Sequence, residues 1–232
     1  VGTFTEASGT ENDSVLELAT AEGTTLENAP KATANFGISG AEIDADKTLG
    51  TITVTIAKNV IDTFEKLQAA VNNGGTVKLD GNITLENNLN IYADSPLILD
   101  LNGHTITGTD KSVYLMSGTC TIRGGSITVT DECPVYNYSG TGTLMIEDCT
   151  IRSERTALYN GSTDAVTTVK NSTLIRDGSN DYVVFANSGT VSLEGKVTVL
   201  AGTYNFDPTS YVDADTYTVT DNGDGTRTVA AK

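Results

Sequence analysis

The chain has one histidine and no Cys-x-x-Cys spacing, so it lacks the ligand set of a zinc site. It has no run of about 18 apolar residues, which excludes a membrane-spanning helix. Basic residues are scarce: 14 against 30 acidic ones, a formal net charge of −16 at pH 7. Nucleic acid and anionic lipid both need a basic footprint, so neither is expected as a partner. The excess acid reads instead as a soluble surface that resists aggregation. The N-terminus carries no basic-then-apolar leader, and Val1 is not an initiator methionine. That start is expected of a chain whose secretory signal was cleaved, or of a trimmed segment. Three cysteines, Cys120, Cys133 and Cys149, leave at least one thiol unpaired within a monomer. They read as small buried side chains.

Glycine is plentiful, at 23 residues, and tryptophan is absent; with abundant Thr, Asn and Ser the composition is turn-rich and β-rich. Within residues 76–200 a phrase recurs: two apolar residues in alternation, a polar pair, a small residue, then another apolar one. Examples are Leu99-Asp100-Leu101-Asn102-Gly103 and Leu144-Met145-Ile146-Glu147-Asp148-Cys149. Taking the second apolar residue as marker gives Leu79, Leu101, Ile122, Ile146, Val169 and Leu193, at steps of 22, 21, 24, 23 and 24 residues. A second phrase keeps step, at Val113-Tyr114-Leu115, Val135-Tyr136-Asn137, Ala157-Leu158-Tyr159 and Val183-Val184-Phe185. A drifting period in the low twenties predicts a parallel β-solenoid, because one coil cannot bury its own apolar face and stacking supplies the partner. The fold class is therefore all-β: a parallel β-solenoid of about six coils, with a short capping helix and a C-terminal β-hairpin.

Four segments are expected. Residues 1–35 are polar and extended, a linker or a strand donated to another subunit, with Ser14–Ala19 as the one alternating stretch. Residues 36–59 hold a strand at Thr51–Ile56, preceded by Ile43-Asp44-Ala45-Asp46, half a calcium loop without the downstream ligands. Residues 60–205 hold the capping helix and the coils. The spacing of Ile61, Phe64, Leu67, Ala70 and Val71 predicts the helix, with Asp62 and Glu65 in its first turns and Asn72-Asn73-Gly74-Gly75 as its stop. Residues 206–232 carry the hairpin, Tyr217–Thr220 and Thr226–Val229 around Asp221-Asn222-Gly223-Asp224-Gly225. That acidic turn reads as a plain hairpin, with calcium as the alternative.

The stretch Phe64–Val77, followed by Leu99-Asp100-Leu101-Asn102-Gly103-His104-Thr105-Ile106, resembles right-handed parallel β-helix proteins of pectin-lyase-like architecture. It is most similar to versions in secreted and cell-surface proteins of Gram-positive gut bacteria. The resemblance spans about residues 60–200. It implies an extracellular or cell-surface location, and for many members a polysaccharide lyase or glycosidase activity.

No catalytic, cofactor or metal residue is assigned. A glycosidase needs two carboxylates about 5–9 Å apart across one groove. The outward acids Asp80, Asp100 and Glu147 come nearest, but Asn102, Arg123 and Asn171 interrupt their column. A calcium-dependent lyase needs clustered acids beside a base; Arg152 and Arg176 with Asp148 and Asp177 are the nearest set. His104, alone at a turn, reads as structural. Tyr114, Tyr136, Tyr159 and Phe185 recur once per coil and are expected to form an inward ladder; outward, they would make a glycan-binding stripe. Asn137, Asn160 and Asn187 are expected to form an amide ladder that satisfies backbone groups. The functional expectation is a non-enzymatic structural or adhesion protein, a β-helical stalk or filament subunit that self-associates or binds other surface proteins. The alternative is a carbohydrate-active or glycan-binding protein.

Overall fold

The computed structural model describes residues 13–19, 41–46, 51–57, 60–138, 140–162, 164–178, 182–186 and 196–232, the first three stretches by backbone alone. The chain forms two compact units, Val1–Val60 and Ile61–Lys232. In the first, β1 (Asp13–Ala19), β2 (Ala41–Asp46) and β3 (Thr51–Ala57) make an antiparallel sheet in the order β1-β3-β2. The strand expected at Ser14–Ala19 thus pairs with β3 of its own chain, Leu16 opposite Val54. Segments 1–35 and 36–59 contribute strands to one sheet, and Ile43–Asp46 is part of β2.

The second unit opens with α1 (Phe64–Val71). Thr63 caps it: its hydroxyl accepts from the Lys66 amide at 3.4 Å, satisfying one orphan donor of the first turn. Asp62 lies just outside the helix and pairs with Lys66 at 2.7 Å. Phe64, Leu67 and Val71 form the buried face. Gly74 and Gly75 take positive φ after the Asn72 cap and turn the chain into the first coil.

The coils are built from β4 (Gly75–Lys78), β5 (Ile83–Thr84), β6 (Leu89–Asp100), β7 (Thr105–Gly108), β8 (Val113–Val129), β9 (Val135–Asn137), β10 (Thr143–Ser153), β11 (Leu158–Asn160), β12 (Val166–Lys170), β13 (Thr173–Arg176), β14 (Val184–Ala186) and β15 (Val197–Val199). All pair in parallel, each with the equivalent strand one turn on, giving a β-solenoid. Alternation along each strand sends one set of side chains inward. One inward column is Val77, Leu99, Ile122, Ile146, Val169 and Val199; a second is Ile83, Ile106, Ile127, Ile151 and Leu174. All of these are buried.

Five of the six marker residues are buried, and the sixth, Leu193, lies outside the described residues. Their alignment differs from the expected one. Ile122 lies beside Leu99, while Leu79 and Leu101 occupy the turns that follow. The turn between Leu99 and Ile106 is two residues longer than that between Ile122 and Ile127, so counting along the sequence slips by one alternation. Part of the last expected phrase, 191–195, lies outside the described residues.

Both ends of the solenoid are covered. At the first, the Gln68 amide of α1 donates to the Asn90 carbonyl at 2.8 Å and accepts from the Asn90 amide at 3.0 Å, standing in for a neighbouring strand. Asn72 Oδ1 accepts from the Tyr92 amide at 3.3 Å. At the other end, β16 (Gly202–Tyr204), β17 (Tyr217–Asp221) and β18 (Arg227–Ala231) form an antiparallel sheet in the order β16-β18-β17. Tyr204 and Val229 join the core from this sheet, and the Tyr204 hydroxyl donates to the Leu200 carbonyl at 2.8 Å.

Candidate functional site

The short strands β9 and β11 and the start of β8 carry the repeated aromatics. Val113, Leu115, Val135, Asn137, Leu158 and Asn160 face the core, so Tyr114, Tyr136 and Tyr159 between them face outward. This reverses the inward ladder expected from the sequence. The reason is parity: Val113 aligns with Val135 and Leu158, and those apolar residues fill the interior. The Phe185 side chain lies outside the described set.

The outward rings stack. Tyr114 and Tyr136 lie 4.4 Å apart with 5° between planes; Tyr136 and Tyr159 lie 4.9 Å apart at 42°. Tyr138 packs edge-on to Tyr114 at 5.9 Å and is 52% exposed. The Tyr136 hydroxyl donates to Glu132 Oε1 at 2.6 Å, and the same oxygen accepts from the Cys133 amide at 2.9 Å. Burial raises the phenol pKa of Tyr114, Tyr136 and Tyr159, and the nearby Glu132 carboxylate adds to the rise at Tyr114 and Tyr136. Each of these phenols therefore holds its proton more tightly than a free tyrosine does. Its internal ring faces are spent on one another; outward it presents edges, hydroxyls and the Tyr138 ring.

Beneath the rings lies the expected amide pair. Asn137 and Asn160 replace the apolar Ile91 and Leu115 of earlier coils and are fully buried. Asn137 Nδ2 reaches the carbonyls of Gly142 and Val166 at 3.1 and 3.0 Å and the Thr167 hydroxyl at 3.0 Å. Thr167 donates in turn to Asn160 Oδ1 at 3.0 Å, and Asn160 Nδ2 reaches the Ala165 carbonyl at 3.1 Å. These amides reach carbonyls where loops enter β10 and β12; that of Gly142 also accepts from the Val166 amide at 2.8 Å. Asn187 lies outside the described residues.

The outward acids considered from the sequence are dispersed and engaged. Lys78, Asp100, Arg123, Glu147 and Lys170 form one outer column in strand register, with charges alternating in sign. Arg123 clasps Asp100 through Nη2 at 2.9 Å and Nε at 3.2 Å; Lys170 meets Glu147 at 2.5 Å. Asp80 Oδ2 accepts from the Ile61 amide at 2.9 Å, joining the first coil to the cap. Asp148 and Asn171 sit at successive corners with positive φ, linked by Asn171 Nδ2 to Asp148 Oδ1 at 2.5 Å. Gly124 occupies the same corner one coil earlier, also at positive φ. Arg152 and Asp177 form a two-pronged pair at 2.6 and 2.9 Å, while Arg176 donates to the Gly178 carbonyl at 2.6 Å. The lyase-like set is thus split between a surface ion pair, a corner and a backbone contact. His104 sits in a turn, its carbonyl accepting from the Ser126 amide at 3.1 Å.

In the hairpin turn, Asp221 Oδ1 accepts from the Gly223 amide at 2.8 Å, and Asp224 Oδ1 from the Thr226 amide at 2.9 Å and its hydroxyl at 2.6 Å. The acids close their own turns, as a hairpin requires. Among the described residues no group of three or more His, Cys, Asp or Glu is placed to hold a metal ion. The three cysteines are free thiols and buried. Burial pushes Cys120 up to about 12 and Cys149 up to about 11, and raises Cys133 as well. No helix among the described residues is long and apolar enough to cross a membrane. Comparison with protein-family models, curated proteins and solved structures gives no match.

Proposed function

We propose that the chain is a non-enzymatic extracellular structural or adhesion module, a β-helical stalk or a subunit of a surface filament. The observation that carries this reading is the fate of the outward carboxylates. Asp100, Glu147 and Asp177 are each held by a base, and Asp80 by a backbone amide, so the acids weighed as catalytic pairs serve the stack itself. The extracellular placement rests on the resemblance drawn from the sequence. With both ends of the solenoid covered, coils of separate copies do not stack end to end. Assembly would then run through the N-terminal unit or a lateral face. Electron micrographs of the purified protein test this: filaments or discrete oligomers support it. If residues 1–35 drive assembly, their deletion leaves a folded monomer by light scattering, and unchanged assembly rejects the filament form.

A second reading, glycan binding without turnover, is favoured by the outward tyrosines and the exposed Tyr138 ring, since aromatic faces and hydroxyls suit sugar rings. A polysaccharide panel, with and without calcium, separates the two. Retention lost on Tyr138→Ala supports binding; turnover abolished by changing Asp100 or Glu147 would overturn the non-enzymatic reading.

A further inference from the structure

We propose that the tyrosine face is an oxidative cross-linking site, in which Tyr136 and Glu132 form a proton-coupled radical centre and Tyr138 is the residue that joins two copies. Three observations meet here. The Tyr136 hydroxyl is already hydrogen-bonded to a carboxylate at 2.6 Å, so the proton released on oxidation has an acceptor in place. Tyr136 lies face to face with Tyr114 at 4.4 Å, and Tyr114 touches Tyr138 edge-on at 5.9 Å, so an electron has short, ring-to-ring steps. Tyr138 is half exposed, so its ring is the member of this route that a second molecule can reach.

The step balances with a peroxide consumed by a haem peroxidase as oxidant. Tyr136 gives up one electron to the oxidant and its phenolic proton to Glu132. An electron then passes from Tyr138 through Tyr114, the proton returns from Glu132 to Tyr136, and Tyr138 loses its own proton to water. Two such Tyr138 radicals couple through their ring carbons ortho to oxygen. The two ortho hydrogens move to the oxygens, restoring both phenols as a dityrosine. Overall, two tyrosines and one peroxide give one carbon–carbon bond and two waters. Tyr92 provides the internal comparison: it is 49% exposed, and among the described residues no ring contact joins it to the stack.

The test treats the full chain with a haem peroxidase and hydrogen peroxide, then reads covalent dimer on denaturing gels, dityrosine fluorescence and the linked peptides by mass spectrometry. The expected result is a dimer linked through Tyr138. Tyr138→Phe loses it and Tyr92→Phe retains it. Glu132→Gln, which keeps an oxygen to accept the Tyr136 hydrogen bond but is a far weaker proton acceptor, reduces the yield while circular dichroism shows an unchanged fold. Links mapped mainly to Tyr92 or Tyr182, or an undiminished yield in Glu132→Gln, would overturn the proposal.

Discussion

Two outer columns climb the same solenoid at the same spacing, one of charges and one of rings. Strands about 4.8 Å apart force like side chains into contact once per coil. Identical charges would repel at that distance, so Lys78, Asp100, Arg123, Glu147 and Lys170 alternate in sign. Identical rings attract, so Tyr114, Tyr136 and Tyr159 repeat without change. What lies beneath differs too. The charged column covers aliphatic residues whose strands satisfy their own backbone. The ring column covers Asn137 and Asn160, which serve carbonyls at the loop–strand borders of β10 and β12. The long strands need only side-chain packing inside; the short ones, flanked by loops, need buried hydrogen bonds as well.

The largest effect comes from emptying the interior under the charged column. Ile146→Ala should cost about 2–5 kcal/mol of unfolding free energy, because stacked neighbours above and below cannot collapse into the space. Asn137→Ala tests the other interior. It strips donors from the Gly142 and Val166 carbonyls, and should cost about 1–3 kcal/mol, read by denaturant unfolding. A loss as small as for an exposed residue would show the amides to be passengers.

On the outside the columns part by their response to salt. Tyr136→Ala removes two ring contacts, worth about 0.5–1.5 kcal/mol each, and the loss should persist in high salt. Arg123→Glu sets a carboxylate directly between Asp100 and Glu147, so three acids follow one another up the column. Its cost of about 0.2–1 kcal/mol should shrink as salt screens it. Equal salt sensitivity in the two variants would break the comparison.

The smallest expected effect is alkaline. The folded stack holds its phenol protons more tightly than the unfolded chain, through burial first and Glu132 second. Its contribution is therefore fully present below the ordinary tyrosine pKa of about 10 and falls as pH rises above it toward the raised folded values. Lys170, raised by its hydrogen bond to Glu147, shifts stability in the same direction above the ordinary lysine range. Tyr136→Phe should weaken the alkaline loss if the phenols dominate it.

The capping helix was legible because its signals are local: the spacing of Phe64, Leu67 and Val71, and the glycines that follow. So was the hairpin around Asn222-Gly223, and so were the buried amides, since Asn137 and Asn160 recur in step with the coils. The direction of the tyrosines was not legible. Val-Tyr-Asn alternates equally well in either sense, and only the coil above and below shows that valine and asparagine point in. The charge alternation was hidden for a related reason: Asp100 and Arg123 become neighbours only once the longer turn after Leu99 is known.

Periodicity alone determined that this chain would be a stack of parallel coils with a cap at its start, because a repeat of apolar pairs in the low twenties can bury itself in no other common way. The tertiary structure decided which residues share a column, which face carries the rings, and that each outward acid weighed for catalysis meets a partner. Those choices depend on turn lengths and on contacts between residues far apart in the sequence, where a shift of one residue exchanges the inside of a strand for its outside.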